Sequence, residues 1–244
     1  VISPATPPRF SAQTRLRALQ TDIMELILAR ELDVGDSLPT ESELCLALGV
    51  GRNTLRESLK VLQAVGVIEI RHGFGMFVAP SNFAALTDGL TFRGRLSLRH
   101  QGVEALELIN ARQTVESALI DAAMDSMDTA DLEALEAAVD RMEQLALQCE
   151  DTAEAEEEFH RRLFQPLGNE FLTHLVGVFR HIDLKIQQDD GGSSGDPAAA
   201  AALHREIFQA VADGDKAAAV GRLGQHFDGL REKINGILAV ADET

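Results

Sequence analysis

Three histidines in the second half of the chain have the chemistry of metal ligands: His160 in AEEEFHRRLF, His204 in AALHREIFQAVADGD and His226 in GRLGQHFDGL. Glu156 stands four residues before His160, so on a helix its carboxylate shares a face with that imidazole. Imidazole and carboxylate arriving from three helices of a bundle can hold a divalent ion. Any one of these histidines alone is better read as a core or surface residue. Glu157 and His160 also form an E-x-x-H pair, the unit of di-iron carboxylate bundles. That chemistry needs a second such pair, and neither His204 nor His226 has Glu three residues earlier. No nucleophile elbow, P-loop or dinucleotide fingerprint is present. Arg112 in RQTVE lies four residues before Glu116, a spacing at which an exposed pair contributes only about 0.2–0.5 kcal/mol.

A second constellation lies in GRNTLRESLKVLQA. Arg52 and Arg56 are four apart, so they stack on one face near a helix N-terminus with Asn53 beside them. In a major groove such guanidinium forks can meet guanine O6 and N7, while the helix start and its neighbours hold phosphates. A solvated basic face, with Arg56 paired to a nearby glutamate, accounts for the same residues.

The elements that must position these groups follow from periodicity. Leu16, Leu19, Ile23, Leu26 and Ile27 recur at spacings of three and four, one face of an amphipathic helix, which LDVGDSLP then ends. A capping box of Thr40 and Glu43 starts a second helix, with Leu44, Ala47 and Leu48 as its buried side and Gly49 ending it. The link GVG is as short as a helix-turn-helix turn, and Leu55, Leu59 and Leu62 predict a third helix over 52–64. GVIEIRHGFGMFVA then reads as a β-hairpin, so the whole is a winged helix. Arg71 and His72 at its tip, with Gly73 permitting close backbone approach, are placed to meet a groove or a phosphate.

Past Pro80 no stretch alternates with period two, and the pattern is helical throughout. Leu132, Leu135, Val139, Met142 and Leu145 mark one helix; Leu172, Leu175, Val178, Phe179, Ile182 and Ile186 mark another. QQDDGGSSGDPAAAAA predicts a flexible loop followed by a helix entered at Pro197. The fold class expected is mainly α: an N-terminal winged helix-turn-helix with a small hairpin wing, and a C-terminal all-α bundle. Its divisions are residues 1–80, a linker over 81–100, and 101–244.

Charge follows the same division. The formal net charge is −17, yet residues 1–80 hold 8 Lys+Arg against 9 Asp+Glu, and residues 81–100 hold 3 against 1. The acidic excess lies in residues 101–244, with 11 against 29, a segment that nucleic acid would repel. Two distant cysteines, Cys45 and Cys149, make no CxxC pattern and fit a reducing compartment. No apolar run reaches the length of a membrane span. The start VISPATPPRF lacks the pattern of a signal peptide and an initiator methionine, so further residues are expected before it and the protein is expected to be cytoplasmic.

The stretch GDSLPTESELCLALGVGRNTLRESLKVLQAVGVIEIRHGFGMFV resembles the winged-helix domain of the GntR family of bacterial transcription regulators. That family's pattern runs G-x-x-LP-[ST]-E-x-x-L, GVSR-x-T-[VL]-RE-[AS]-L-x-x-L, G-L-[IV] and G-x-G-x-[FY]-V. The resemblance implies contact with double-stranded operator DNA by Arg52, Asn53, Thr54 and Arg56, with His72 and Gly73 in the wing. Two residues depart from it: Gly51 replaces the Ser or Thr that caps the recognition helix, and Ser42 stands where many members have Arg.

Residues 100–240 more loosely resemble the FCD effector domain of the FadR-like branch of that family, through RQTVE, EEEFHRRLFQPLGN, LHREIFQAVADGD and His226. By this resemblance His160, His204 and His226 would ligate zinc, nickel or manganese. The family's aspartate falls on Glu156, one methylene longer, and Leu203 stands where a glutamate is usual. Arg112 matches an arginine that meets the effector carboxylate in some relatives. The resemblance implies a homodimeric repressor, not an enzyme, released from a two-fold operator when a small carboxylate binds in the bundle. A DNA-binding protein with an empty, non-sensing pocket is the other outcome, and its DNA binding would ignore metal chelation.

Overall fold

A computed structural model describes residues 12–80, 83–188 and 196–242. The expectations for VISPATPPRF and for the part of the loop over 189–195 lie outside the described residues, while Gln187 and Gln188, expected in that loop, are the last residues of the helix Glu170–Gln188. The described residues fall into two compact units divided between Ala85 and Leu86.

The first unit holds α1 (Ala12–Ala29), α2 (Glu41–Leu48), α3 (Arg52–Ala64), β1 (Ile68–Arg71) and β2 (Gly75–Val78). Leu19, Ile23 and Ile27 of α1 meet Leu44 of α2, Leu55, Leu59 and Leu62 of α3, and Ile68 and Met76 of the hairpin in one core. At α2 the capping box forms: Glu43 N–H donates to Thr40 Oγ1 (3.3 Å), and the Thr40 N–H donates to Glu43 Oε2 (2.8 Å). Gly49 ends the helix at φ 64°, a left-handed conformation that disfavours a Cβ.

Ala47 is exposed, against the expectation that it lines the buried side of α2. At 100° per residue, Leu44, Leu48 and Cys45 span an arc whose centre lies about 105° from Ala47, so the buried stripe turns away from it.

In the hairpin Ile68 faces Val78, Glu69 faces Phe77, Ile70 faces Met76 and Arg71 faces Gly75 in antiparallel register. Phe74 N–H donates to the Arg71 carbonyl (2.9 Å), closing the turn, with Gly73 at φ 80°. The segment before α2 adds a bridge from Ser37 to Phe77, with Leu38 N–H donating to the Met76 carbonyl (2.8 Å). LDVGDSLP thus both ends α1 and pins the wing.

The chain continues through α4 (Ala84–Ser97), α5 (Val103–Ser126), α6 (Thr129–Leu147), α7 (Ala153–Phe164), a 3₁₀ turn at Gln165–Leu167, α8 (Glu170–Gln188), α9 (Pro197–Ala212) and α10 (Lys216–Asp242). No strand occurs among the described residues after Val78. In the second unit α5 packs on α7, α8 and α10; α10 also meets α9, and α6 bridges α7 and α9. The segment expected as a linker over 81–100 is largely the helix α4, and Gly94 lets it approach α8 closely, because a Cβ there would lie 2.7 Å from Ile186 Cδ1. Asp196 caps α9 by accepting from Ala198 N–H (3.0 Å), with Pro197 in the first turn.

Candidate functional site

The buried face of α5 runs Ala105, Ile109, Arg112, Glu116, Ile120, Ala123. These spacings of three and four make a regular apolar stripe whose middle is a charged pair. Arg112 and Glu116 are both fully buried, with Nε donating to Oε1 at 2.6 Å. Arg112 Nη1 also donates to Asp183 Oδ2 of α8 at 2.6 Å. Burial pulls against the Arg112 charge, but Glu116 and Asp183 outweigh it and hold the guanidinium protonated. Burial pushes both carboxyls up, against the pull of Arg112.

Above this stripe three helices deliver one imidazole each: α7 His160, α9 His204 and α10 His226. Each sits on its helix's buried face, and candidate ligand atoms from the three rings lie within 4.8 Å of one another. Ring centroids are 5.5 Å apart for His160 and His204, 5.1 Å for His160 and His226, and 4.8 Å for His204 and His226. Phe159 sets its edge against both His160 and His204.

His204 Nδ1 lies 2.8 Å from the Ala200 carbonyl, which can only accept, so Nδ1 carries the proton and Nε2 the lone pair. Nε2 of all three rings is buried with no hydrogen-bond partner among the described residues. His160 Nδ1 approaches Glu116 Oε2 at 3.1 Å, yet the two atoms are not aligned for a hydrogen bond. Burial lowers the pKa of all three, and the charges of Arg112 and Arg180 lower them further. They are neutral imidazoles at pH 7, the form that binds a metal. Buried lone pairs converging without a donor are a donor set that fits a divalent ion of the zinc or nickel kind.

Glu156 is not in that cluster. Its Oε2 accepts from Arg180 Nη2 of α8, a guanidinium only 1% exposed, and Thr152 Oγ1 approaches its other oxygen at 3.4 Å. Burial alone would raise the carboxyl, but the charge and hydrogen bond of Arg180 hold its pKa at about 2. Arg180 Nε and Nη1 and Arg112 Nη2 are buried without hydrogen-bond partners among the described residues. Arg180 and Asp183 escaped the sequence reading; the signal was two charged residues within the apolar spacing of Val178, Ile182 and Ile186. Glu157, the carboxylate of the E-x-x-H alternative, is exposed.

In the first unit Arg52, Asn53 and Thr54 are exposed on the first turn of α3, which Gly51 begins with no side-chain cap. Arg56 is held by α2: its Nε donates to both carboxylate oxygens of Glu41, at 3.1 and 2.9 Å. His72 and Gly73 are exposed at the wing tip, where Phe74 is 83% exposed. Arg71 is engaged at the base of the tip, donating to Glu69 (2.8 Å) and lying over the Phe77 ring at 4.5 Å.

Residues 17–78 match the model of the bacterial regulatory proteins of the gntR family, and residues 107–229 match that of the FCD domain. The chain is 24% identical over 211 residues to the HTH-type transcriptional regulator LutR of Bacillus subtilis, covering 84% of this chain and 94% of that one. It is 26% identical over 202 residues to the galactonate operon transcriptional repressor of Escherichia coli, covering 82% and 79%. A Streptococcus agalactiae GntR structure superposes with a TM-score of 0.58 at 24% identity, covering 89% of this chain and 99% of that one. With a winged helix whose recognition face is open and an FCD match spanning half the chain, this protein belongs to the FCD-domain GntR transcriptional regulators and is not an enzyme.

Proposed function

We propose that this regulator is a homodimeric repressor of the FadR-like branch, acting in the cytoplasm, whose helical unit senses a small carboxylate through a divalent metal ion. The observation that carries the reading is the buried triad of His160, His204 and His226, whose candidate ligand atoms lie within 4.8 Å of one another and whose Nε2 atoms have no hydrogen-bond partner among the described residues. When bound, the ion supplies a Lewis-acidic anchor for an anionic oxygen. The chain's own contribution is orientation and charge: Ala200 fixes the His204 tautomer, Glu116 sits behind His160, and burial keeps the rings neutral. Arg112 Nη2, Arg180 Nε and Arg180 Nη1 are unpaired donors that a carboxylate would satisfy.

At the DNA end, Arg52, Asn53, Thr54 and the wing residues His72 and Gly73 contact the operator, with Arg56 contributing once it exchanges Glu41 for a phosphate or base edge. Two-fold symmetry of the dimer matches a pseudo-palindromic site. The ligand must bind the DNA-competent and released forms unequally for sensing to occur. The relative named as a galactonate operon repressor supports the sign of regulation.

Elemental mass spectrometry of the purified protein tests the site. About one ion per chain is expected in the wild type and none in a His204→Ala, His226→Ala double variant. Wild-type protein without metal after incubation with zinc, nickel or manganese, and DNA binding indifferent to chelators, would show a pocket that does not sense through metal.

A further inference from the structure

We infer that Arg180 withholds Glu156 from the histidine triad, so that a metal ion in this protein has three protein ligands and keeps its remaining positions for an anionic ligand. This rests on the proposed metal reading of the triad. Glu156 lies one helical turn before His160 on α7, yet its carboxylate is bonded to the buried Arg180 guanidinium. An ion and Arg180 would compete for the same carboxylate, whose Oε2 Arg180 holds while Thr152 Oγ1 lies 3.4 Å from Oε1. Arg180 is 1% exposed and its Nε and Nη1 have no hydrogen-bond partner among the described residues, so giving up Glu156 would leave this buried guanidinium without a hydrogen bond there. A three-histidine centre with open positions is the arrangement of metal sites that bind exogenous groups, whereas a fourth protein ligand closes the sphere.

The inference is tested by Co(II) and Zn(II) affinity of the full chain, measured by competition with a chromophoric chelator. Glu156→Gln is expected to bind either ion within about threefold of wild type, since it removes no ligand. Arg180→Met, which releases Glu156 toward the triad, is expected to tighten binding by about tenfold or more. The double variant Glu156→Gln, Arg180→Met removes both buried charges together and guards against misfolding of the single variants; it too should match wild type. A loss of more than about tenfold in Glu156→Gln or in the double variant, with wild type binding normally, overturns the inference alone. Wild type that takes up neither ion overturns the metal reading beneath it as well.

Discussion

At the scale of single residues, the second unit places ionised groups where apolar ones would pack. Arg112 lies with Glu116 and Asp183 in a site without water contact, and such groups are costly to leave alone. Arg112→Met should therefore destabilise the protein by about 3–5 kcal/mol in urea unfolding at pH 7.5. The loss should shrink on acidification, because burial raises both carboxyls and lets them neutralise in the folded state. The histidines act in the opposite sense. Their folded pKa values are lowered, so below about pH 6.5 the unfolded chain binds protons that the folded chain refuses, and stability falls as pH falls. In metal-free protein, His226→Gln should flatten the fall between pH 6.5 and 5.5 by up to about 1.4 kcal/mol per pH unit. An unchanged slope would mean that His226 titrates alike in both states.

At the scale of elements, the recognition helix is set by its neighbour as much as by its own residues. Leu55, Leu59 and Leu62 anchor α3 in the core and leave Arg52, Asn53 and Thr54 outward. Glu41 of α2 holds Arg56. Glu41→Gln should free that guanidinium, strengthening DNA binding and steepening its dependence on log salt by about one unit, read from binding isotherms at several salt concentrations. Arg52→Ala should lower specific operator affinity by about 1–3 kcal/mol or more while leaving the oligomeric state in gel filtration unchanged. Retained operator footprinting by that variant would remove α3 from the reading of base edges.

At the scale of the whole molecule, charge and fold divide the work. Residues 101–244 carry 29 Asp+Glu against 11 Lys+Arg, so that segment is repelled by phosphate. Among the described residues no helix is long and apolar enough to cross a membrane. A fragment of residues 86–244 should bind one divalent ion per chain and show no affinity for duplex DNA in a mobility-shift assay. DNA binding by that fragment would place the basic contacts on α4 or beyond. Metal added to the full chain should raise the melting temperature of the transition that this fragment also shows.

Local pattern alone determined a good deal of this protein. The helix over 52–64, the Thr40–Glu43 capping box of the helix before it, the glycine-tipped hairpin and the helical second half were legible, because each is written in periods of 3.6 or 2 and in turn residues a few positions apart. The three histidines were legible as a set only through a family resemblance, since their own spacings say nothing about convergence. Tertiary structure decided what surrounds them. Arg112 reaches Asp183 across 71 positions, and Glu156 reaches Arg180 across 24. No local period encodes such pairings; they exist because α5, α7 and α8 pack their buried faces together, and a charge enclosed there must find whichever opposite charge the packing brings within reach. The same packing turned an i,i+4 pair that would be negligible on a surface into the buried centre of the bundle, and drew Glu156 toward a guanidinium instead of the imidazoles one turn away.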